Sequence, residues 1–171
     1  DPGSLVDVVL LRPTLRVAYN ADAVDPTTRF TTRFELTDPP SCYYTRDPLI
    51  MVKGGAIVCR MGARIRRGEE LAVTRTLAEI GVPVLRTLSG TALMEGGSFA
   101  WINPQTAVIG CGIRVNREGA EQVSEVLKRQ GVELIVVDLV GYDIHIDGSF
   151  QMIDRDLALV DPFGLPFSFL E

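Results

Sequence analysis

The sequence predicts an α/β protein assembled from copies of one hairpin–helix–strand unit. Two observations predict it. First, Gly97-Ser98-Phe99-Ala100-Trp101-Ile102 superposes on Gly148-Ser149-Phe150-Gln151-Met152-Ile153 at an offset of 51, and the same shift carries Ala56 onto Ala107 and Ala107 onto Ala158. A fixed period of that length marks a repeated supersecondary unit, stacked or radially arranged. Second, within each period short β-rich runs bracket a turn, and in the first two a stretch with helical apolar spacing follows.

The elements follow in order. Residues 1–40 are the least regular: Leu5 to Leu11 reads as a buried strand, and Ala21 to Ser41 as a Thr-, Pro- and Asp-rich connection carrying Phe30 and Phe34. The repeats are expected over roughly 42–92, 93–143 and an incomplete 144–171, within a single domain spanning 1–171. First strands are expected at Leu49 to Val52, Phe99 to Ile102 and Phe150 to Ile153, with turns through Lys53-Gly54-Gly55, Asn103-Pro104-Gln105 and Asp154-Arg155-Asp156. Gly, Asn, Asp and Pro at those turns favour hairpins back into Ala56 to Cys59, Ala107 to Ile109 and Ala158 to Val160. Val73, Leu77 and Ile80 then form one helical stripe, and Val123, Val126 and Leu127 another. Asn116 suits an N-cap with Glu118 in the first turn, and Gly81 and Gly131 suit the residue after a helix end. Val82 to Leu85 and Val132 to Val137 close the first two units as strands.

With 171 residues, 46% hydrophobic and 23% charged, the chain has the composition of a globular domain with a real core. A net charge of −5 argues against a nucleic-acid partner, which requires clustered cations. Its one basic cluster, Arg60, Arg64, Arg66 and Arg67, is followed at once by Glu69 and Glu70 and reads as a solvated, mixed-sign helix start. No run approaches about 18 uninterrupted apolar residues, and Asp1-Pro2-Gly3-Ser4 lacks the basic and apolar regions of a signal peptide. The expectation is a cytoplasmic protein without a membrane segment. Cys42, Cys59 and Cys111 form no C-x-x-C pair and read as reduced structural thiols.

The polar residues that break the pattern point to chemistry. In Asp143-Ile144-His145-Ile146-Asp147, strand alternation places Asp143, His145 and Asp147 on one face and both isoleucines on the other. A histidine between carboxylates has its imidazolium stabilised, which suits a general acid/base; a satisfied polar strand end is the plainer alternative. A carboxylate-rich metal site is a third reading. Asp47 and Glu95 each stand just before the first strand of their own repeat, so strands arranged about a common axis bring Asp47, Glu95, His145 and Asp147 together. Gly96-Gly97, directly after Glu95, leaves room for a tight turn and a ligand. Several carboxylates with one histidine suit a cationic ligand, and planar guanidinium matches them through its fork of N–H donors.

These residues resemble the guanidino-group-modifying enzymes of the five-bladed α/β propeller: arginine deiminases, dimethylarginine dimethylaminohydrolases and amidinotransferases. The resemblance runs from about Pro39 to Pro162. It is carried by Tyr43-Tyr44-Thr45-Arg46-Asp47-Pro48, Cys59-Arg60-Met61, Arg66-Arg67-Gly68-Glu69-Glu70, Met94-Glu95-Gly96-Gly97 and His145-Ile146-Asp147, in the family's order. It implies a partial propeller of about three of five repeats. Asp47 and Asp147 would grip a substrate guanidinium, Glu95 would support His145 and the guanidinium, and His145 would be the general acid/base. Arg114 resembles the family arginine near the substrate's α-carboxylate; a solvated residue before a helix cap is the alternative.

In that family a cysteine thiolate attacks the guanidinium carbon, without cofactor or metal. Cys42, Cys59 and Cys111 match no nucleophile motif, and Ser98 replaces an acidic residue common after the Glu-Gly-Gly turn. The resemblance therefore implies a small-molecule guanidino substrate, a hydrolase site whose nucleophile is missing from this chain, and no turnover by the chain alone. An amidinotransferase or a non-catalytic propeller domain binding a cation or a protein are the alternatives. Exposed repeat faces imply a homo-oligomer.

Overall fold

Residues 14–35 and 43–166 are described by the structure, a computed structural model. The chain separates into two compact units, Asp1–Pro40 and Ser41–Glu171. The expected strand at Leu5 to Leu11, Cys42, the Phe34 side chain and the segment from Phe167 onward lie outside the described residues.

In the first unit, β1 (Thr14–Tyr19) pairs antiparallel with β2 (Phe30–Glu35), and the rings of Tyr19 and Phe30 meet at 5.0 Å. Asp25 caps a 3₁₀ turn, Pro26–Thr28, by accepting from the Thr27 N–H at 2.8 Å. The connection expected over Ala21 to Ser41 is thus a strand in part. Phe30, Thr31 and Thr32 are aromatic and β-branched, residues that fit a pleated ribbon, and that preference outweighs the polar composition around them.

The second unit carries the repeats. An antiparallel hairpin of β3 (Leu49–Val52) and β4 (Gly55–Val58) is followed by helix α1 (Glu69–Glu79) and then by β5 (Val84–Thr87), which lies parallel to β4. The next copy has the same plan: β6 (Phe99–Asn103), β7 (Thr106–Cys111), α2 (Arg117–Arg129) and β8 (Glu133–Asp138), with β8 parallel to β7. Parallel neighbours need a crossover, and the helix in each copy provides it. Among the described residues the third copy is the hairpin of β9 (Phe150–Asp154) and β10 (Leu157–Val160).

Local sequence sets the helix limits. The Asn116 side chain accepts from the Gly119 N–H at 2.9 Å at the start of α2, and Glu118 stands in the first turn against the positive end of the helix. Val123, Val126 and Leu127 are buried, in one cluster with Ile50 and Ile57 of the first sheet and Ala107 and Ile109 of the second. In α1, Leu77 is buried and Val73 packs beside it against Ala56 and Val58. Ile80, expected on the same stripe, caps the helix and is 65% exposed. The last turn leaves the helical path before Ile80 can complete the stripe, because Gly81 takes the left-handed conformation at φ 72°.

Counterparts across the repeat differ in burial. Ile57 and Val108 are wholly buried, whereas Leu159, one period after Val108, is 64% exposed. Among the described residues no helix is long and apolar enough to cross a membrane.

Asn116 also accepts from the Leu93 N–H at 2.9 Å and donates to the Thr91 carbonyl at 2.8 Å, so it ties α2 to the preceding loop. In urea melts Asn116→Ala is expected to lose about 2 kcal/mol.

Candidate active site

The short loops before β3, β6 and β9 converge, and each contributes an ionisable side chain. Asp47 comes from the turn before β3, Glu95 from the residue before the 3₁₀ turn Gly96–Ser98, and His145 from the residue before the 3₁₀ turn Ile146–Gly148. One donor atom from each lies within 4.8 Å of the others. Asp47, His145 and Asp147 line a cavity of about 730 Å³, together with Arg66 and Arg114.

Glu95 is the centre of this arrangement. It has no solvent exposure, and its Oε1 accepts from the backbone N–H groups of Gly62 at 2.9 Å and Ala63 at 3.1 Å. His145 Nε2 stands 2.8 Å from Oε2, and Arg114 Nη1 lies 3.3 Å from both oxygens. Burial by itself pushes this carboxyl up; the His145 bond, the Ala63 N–H and the Arg114 charge outweigh it and bring the pKa from 4.5 down to about 2. An ionised carboxylate only accepts, so Nε2 carries the proton in this bond. His145 Nδ1 then faces Asp47 Oδ1 at 3.7 Å, beyond hydrogen-bond length.

Asp47 is held from two sides. Its Oδ1 accepts from the Gly97 N–H at 3.0 Å, and its Oδ2 receives Arg66 Nη1 at 2.5 Å. The glycines at 96 and 97 are required by close approach. A Cβ on Gly97 would stand 2.6 Å from His145 Nδ1 and 2.8 Å from Asp47 Oδ1, and one on Gly96 would strike the carbonyls of Arg46 and Leu49. Asp147 lies at the cavity edge, 27% exposed, with Arg46 Nε 3.2 Å from its Oδ2.

Asp143 to Asp147 is not the alternating strand expected. It is irregular and runs into a 3₁₀ turn, with Ile144 exposed and Ile146 fully buried. The two carboxylates flanking His145 are therefore Glu95 and Asp47, not its neighbours Asp143 and Asp147. Asp143 instead accepts from the Ser149 hydroxyl at 3.0 Å. Gly141 at φ 67° turns the chain just before this segment, and the next strand begins only at Phe150, so among the described residues no strand pairs with these residues to hold them in a pleat.

In the basic cluster Arg64 and Arg67 are exposed at the helix start, as expected, and Arg66 is not. Arg66 is 11% exposed; its Nε and Nη2 donate to the two oxygens of buried Glu69 at 2.8 and 2.7 Å, and its Nη1 comes within 3.9 Å of Glu95. Charge patterning along the sequence missed both residues, because a mixed-sign run on a surface and a buried ion pair have the same composition. Their spacing of three, an interacting pair on a helical turn, was the available signal.

Cys59 and Cys111 are buried. Burial, and after it the charges of Asp47, Glu95 and Glu70, push the Cys59 thiol well up; burial is also the main cause raising Cys111. Neither is poised as a thiolate. Asp47, Glu95 and His145 could in number and spacing hold a metal ion, but guanidinium groups of Arg66 and Arg114 already stand on both carboxylates. A dication would have to displace two cations held by hydrogen bonds.

Known proteins are similar to this chain in sequence and in fold. The arginine deiminase family profile matches residues 7–163. Over 140 residues the chain is 27% identical to the arginine deiminase of Bacillus cytotoxicus and 26% identical to that of Latilactobacillus sakei, covering 75% of this chain and 34% of each relative. The chain thus spans about a third of the length of the relatives it matches. A dimethylarginine dimethylaminohydrolase of Pseudomonas aeruginosa complexed with citrulline superposes with a TM-score of 0.63 at 24% identity, covering 68% of this chain and 45% of that one. SxtG, an amidinotransferase from Microseira wollei, superposes with a TM-score of 0.61 at 15% identity over 90% of this chain and 51% of that one. A family match extending from residue 7 to residue 163, through every loop that builds the cavity, means that this chain belongs to the arginine deiminase family.

Proposed function

We propose that this chain carries the guanidinium-binding and acid/base part of a hydrolase site for arginine or an arginine-like guanidino compound. The observation that carries the reading is the contact at 2.8 Å between buried Glu95 and His145, with Asp47 beside it and both His145 and Asp47 on the wall of one cavity. Asp47 and Asp147 grip the guanidinium of the ligand through its fork of N–H donors. Glu95, ionised, orients His145 and stabilises the imidazolium that forms during proton transfer. Arg114 touches Glu95 through Nη1 alone among the described residues, so its remaining donors are available to a carboxylate on the ligand.

In this mechanism a thiolate attacks the guanidinium carbon and forms a C–S bond. His145 gives a proton to the leaving amine as the C–N bond breaks. It then takes a proton from the water that attacks the thioether carbon, so that the thiolate is released with a ureido product. Cys59 and Cys111 are buried with raised thiols, and Cys42 matches no nucleophile motif, so in this reading the nucleophile is missing and the chain alone binds without turning over. The units from about residue 42 onward are read as part of an α/β propeller, and self-association covers the exposed face around Leu157 and Leu159.

Calorimetry with L-arginine is expected to show binding by the unsubstituted chain and none by Asp47→Ala, with no citrulline formed by either. Binding unaffected by Asp47→Ala sinks the guanidinium reading, and citrulline formation sinks the account of the nucleophile. Gly97→Ala forces a Cβ into His145 and Asp47. It is expected to weaken arginine binding at least tenfold while lowering stability by about 1–3 kcal/mol.

The lowered Glu95 carboxyl also sets a pH dependence. Its ordinary value is 4.5 and its folded value about 2, so its contribution to stability is complete above about pH 4.5 and is lost as the pH falls toward 2. Acid unfolding followed by circular dichroism is expected to be flatter over that window in Glu95→Gln, which is also less stable at neutral pH. Identical acid limbs for the two proteins would contradict this electrostatic role.

A further inference from the structure

Two aspartates face the cavity for the guanidinium, and they are held in different ways. Asp47 has the Gly97 N–H on one oxygen and Arg66 on the other. The Asp147 carboxylate has a single partner among the described residues, Arg46, whose Nε lies 3.2 Å from Oδ2. Gln151 reaches only the backbone carbonyl of Asp147, at 3.1 Å. Without Arg46, nothing described in the structure fixes the rotamer of Asp147.

Arg46 is well placed to fix it. Its Nη2 donates to the Phe99 carbonyl at 3.0 Å, so the guanidinium is anchored on β6 while its Nε faces Asp147. Its own backbone is packed against Gly96, whose Cβ position the Arg46 carbonyl occupies, and the Gly96 N–H donates to the Asp47 carbonyl at 2.7 Å. Arg46 therefore touches all three repeats: its own, β6 of the second and the turn before β9 of the third. It approaches from outside the cavity, since it lines the neighbouring groove with Trp101 and Met152, whereas Asp147 lines the cavity itself.

We propose that Arg46 is a positioning residue for Asp147, so that the adjacent pair Arg46-Asp47 sets both guanidinium-binding carboxylates: Asp47 directly, and Asp147 through the Arg46 clamp. The proposal rests on the guanidinium reading above. Arg46 uses one of the two Asp147 oxygens and leaves lone pairs on the carboxylate for the ligand. Loss of such a supporting contact typically weakens binding by about 10- to 100-fold, because the liganding group is no longer pre-oriented.

The test is L-arginine calorimetry on the full chain and on Arg46→Ala, Arg46→Lys, Asp147→Ala and the double variant Arg46→Ala/Asp147→Ala. Arg46 is 54% exposed in its side chain, so circular dichroism and melting are expected to stay near those of the unsubstituted chain. Arg46→Ala is expected to bind about tenfold more weakly, Arg46→Lys to recover part of the loss, and Arg46→Ala in the Asp147→Ala background to change affinity less than about twofold. Tighter binding by Arg46→Ala would mean that Arg46 competes with the ligand, and an equal loss in both backgrounds would mean that it does not act through Asp147; either overturns the proposal. If the unsubstituted chain does not bind arginine, the guanidinium reading fails by itself. The clamp is then judged by nuclear magnetic resonance: a heteronuclear NOE of the Arg46 Nε–H that falls in Asp147→Ala sustains it, and an equal value in both proteins refutes it.

Discussion

The site is organised by the burial of one carboxylate. Glu95 has no solvent contact, and a buried charge is tolerated only when it is paired and hydrogen-bonded. Its partners come from three separate places in the chain: the backbone of Gly62 and Ala63, the guanidinium of Arg114 before α2, and the imidazole of His145. Satisfying Glu95 therefore requires the loops of all three repeats to meet, and the cavity forms where they do. The same bonds that keep Glu95 ionised fix the tautomer and orientation of His145, so the folding constraint and the placement of the imidazole at the cavity are one interaction.

Close backbone approach makes the convergence compact. Gly96 and Gly97 lie where a side chain would collide with Arg46, Leu49, Asp47 and His145. Their lack of a Cβ lets the second repeat's turn press against the first repeat's turn and carry an N–H directly to Asp47. The inner surface is consequently built from main-chain donors as well as side chains, and main-chain donors lose little freedom when they bind.

Charge balance decides what such a cavity receives. Arg66 stands on Asp47 and Glu69 and comes within 3.9 Å of Glu95, Arg114 also stands on Glu95, and Arg46 pairs separately with Asp147. A network of this kind holds both signs in place without neutralising either locally. It presents carboxylate oxygens and guanidinium N–H groups in one space, a surface suited to a ligand that carries both charges.

Much of this was legible along the chain. The 51-residue period, the hairpin turns, the Asn116 cap and the glycines that end both helices follow from local stereochemistry, which acts between residues a few positions apart. The period also implied that Asp47, Glu95 and His145, at like ends of like strands, would meet. Pairing was different. Local alternation assigned Asp143 and Asp147 to His145, yet its contact is Glu95, fifty residues away in the chain, and Arg66 and Glu69 read as surface charges although both are largely buried. Sequence by itself thus determined the repeating unit and which loops would carry the chemistry. Tertiary structure alone decided which charges touch, because an ion pair depends on distances between loops that no local pattern encodes, and burial selects among partners of identical composition.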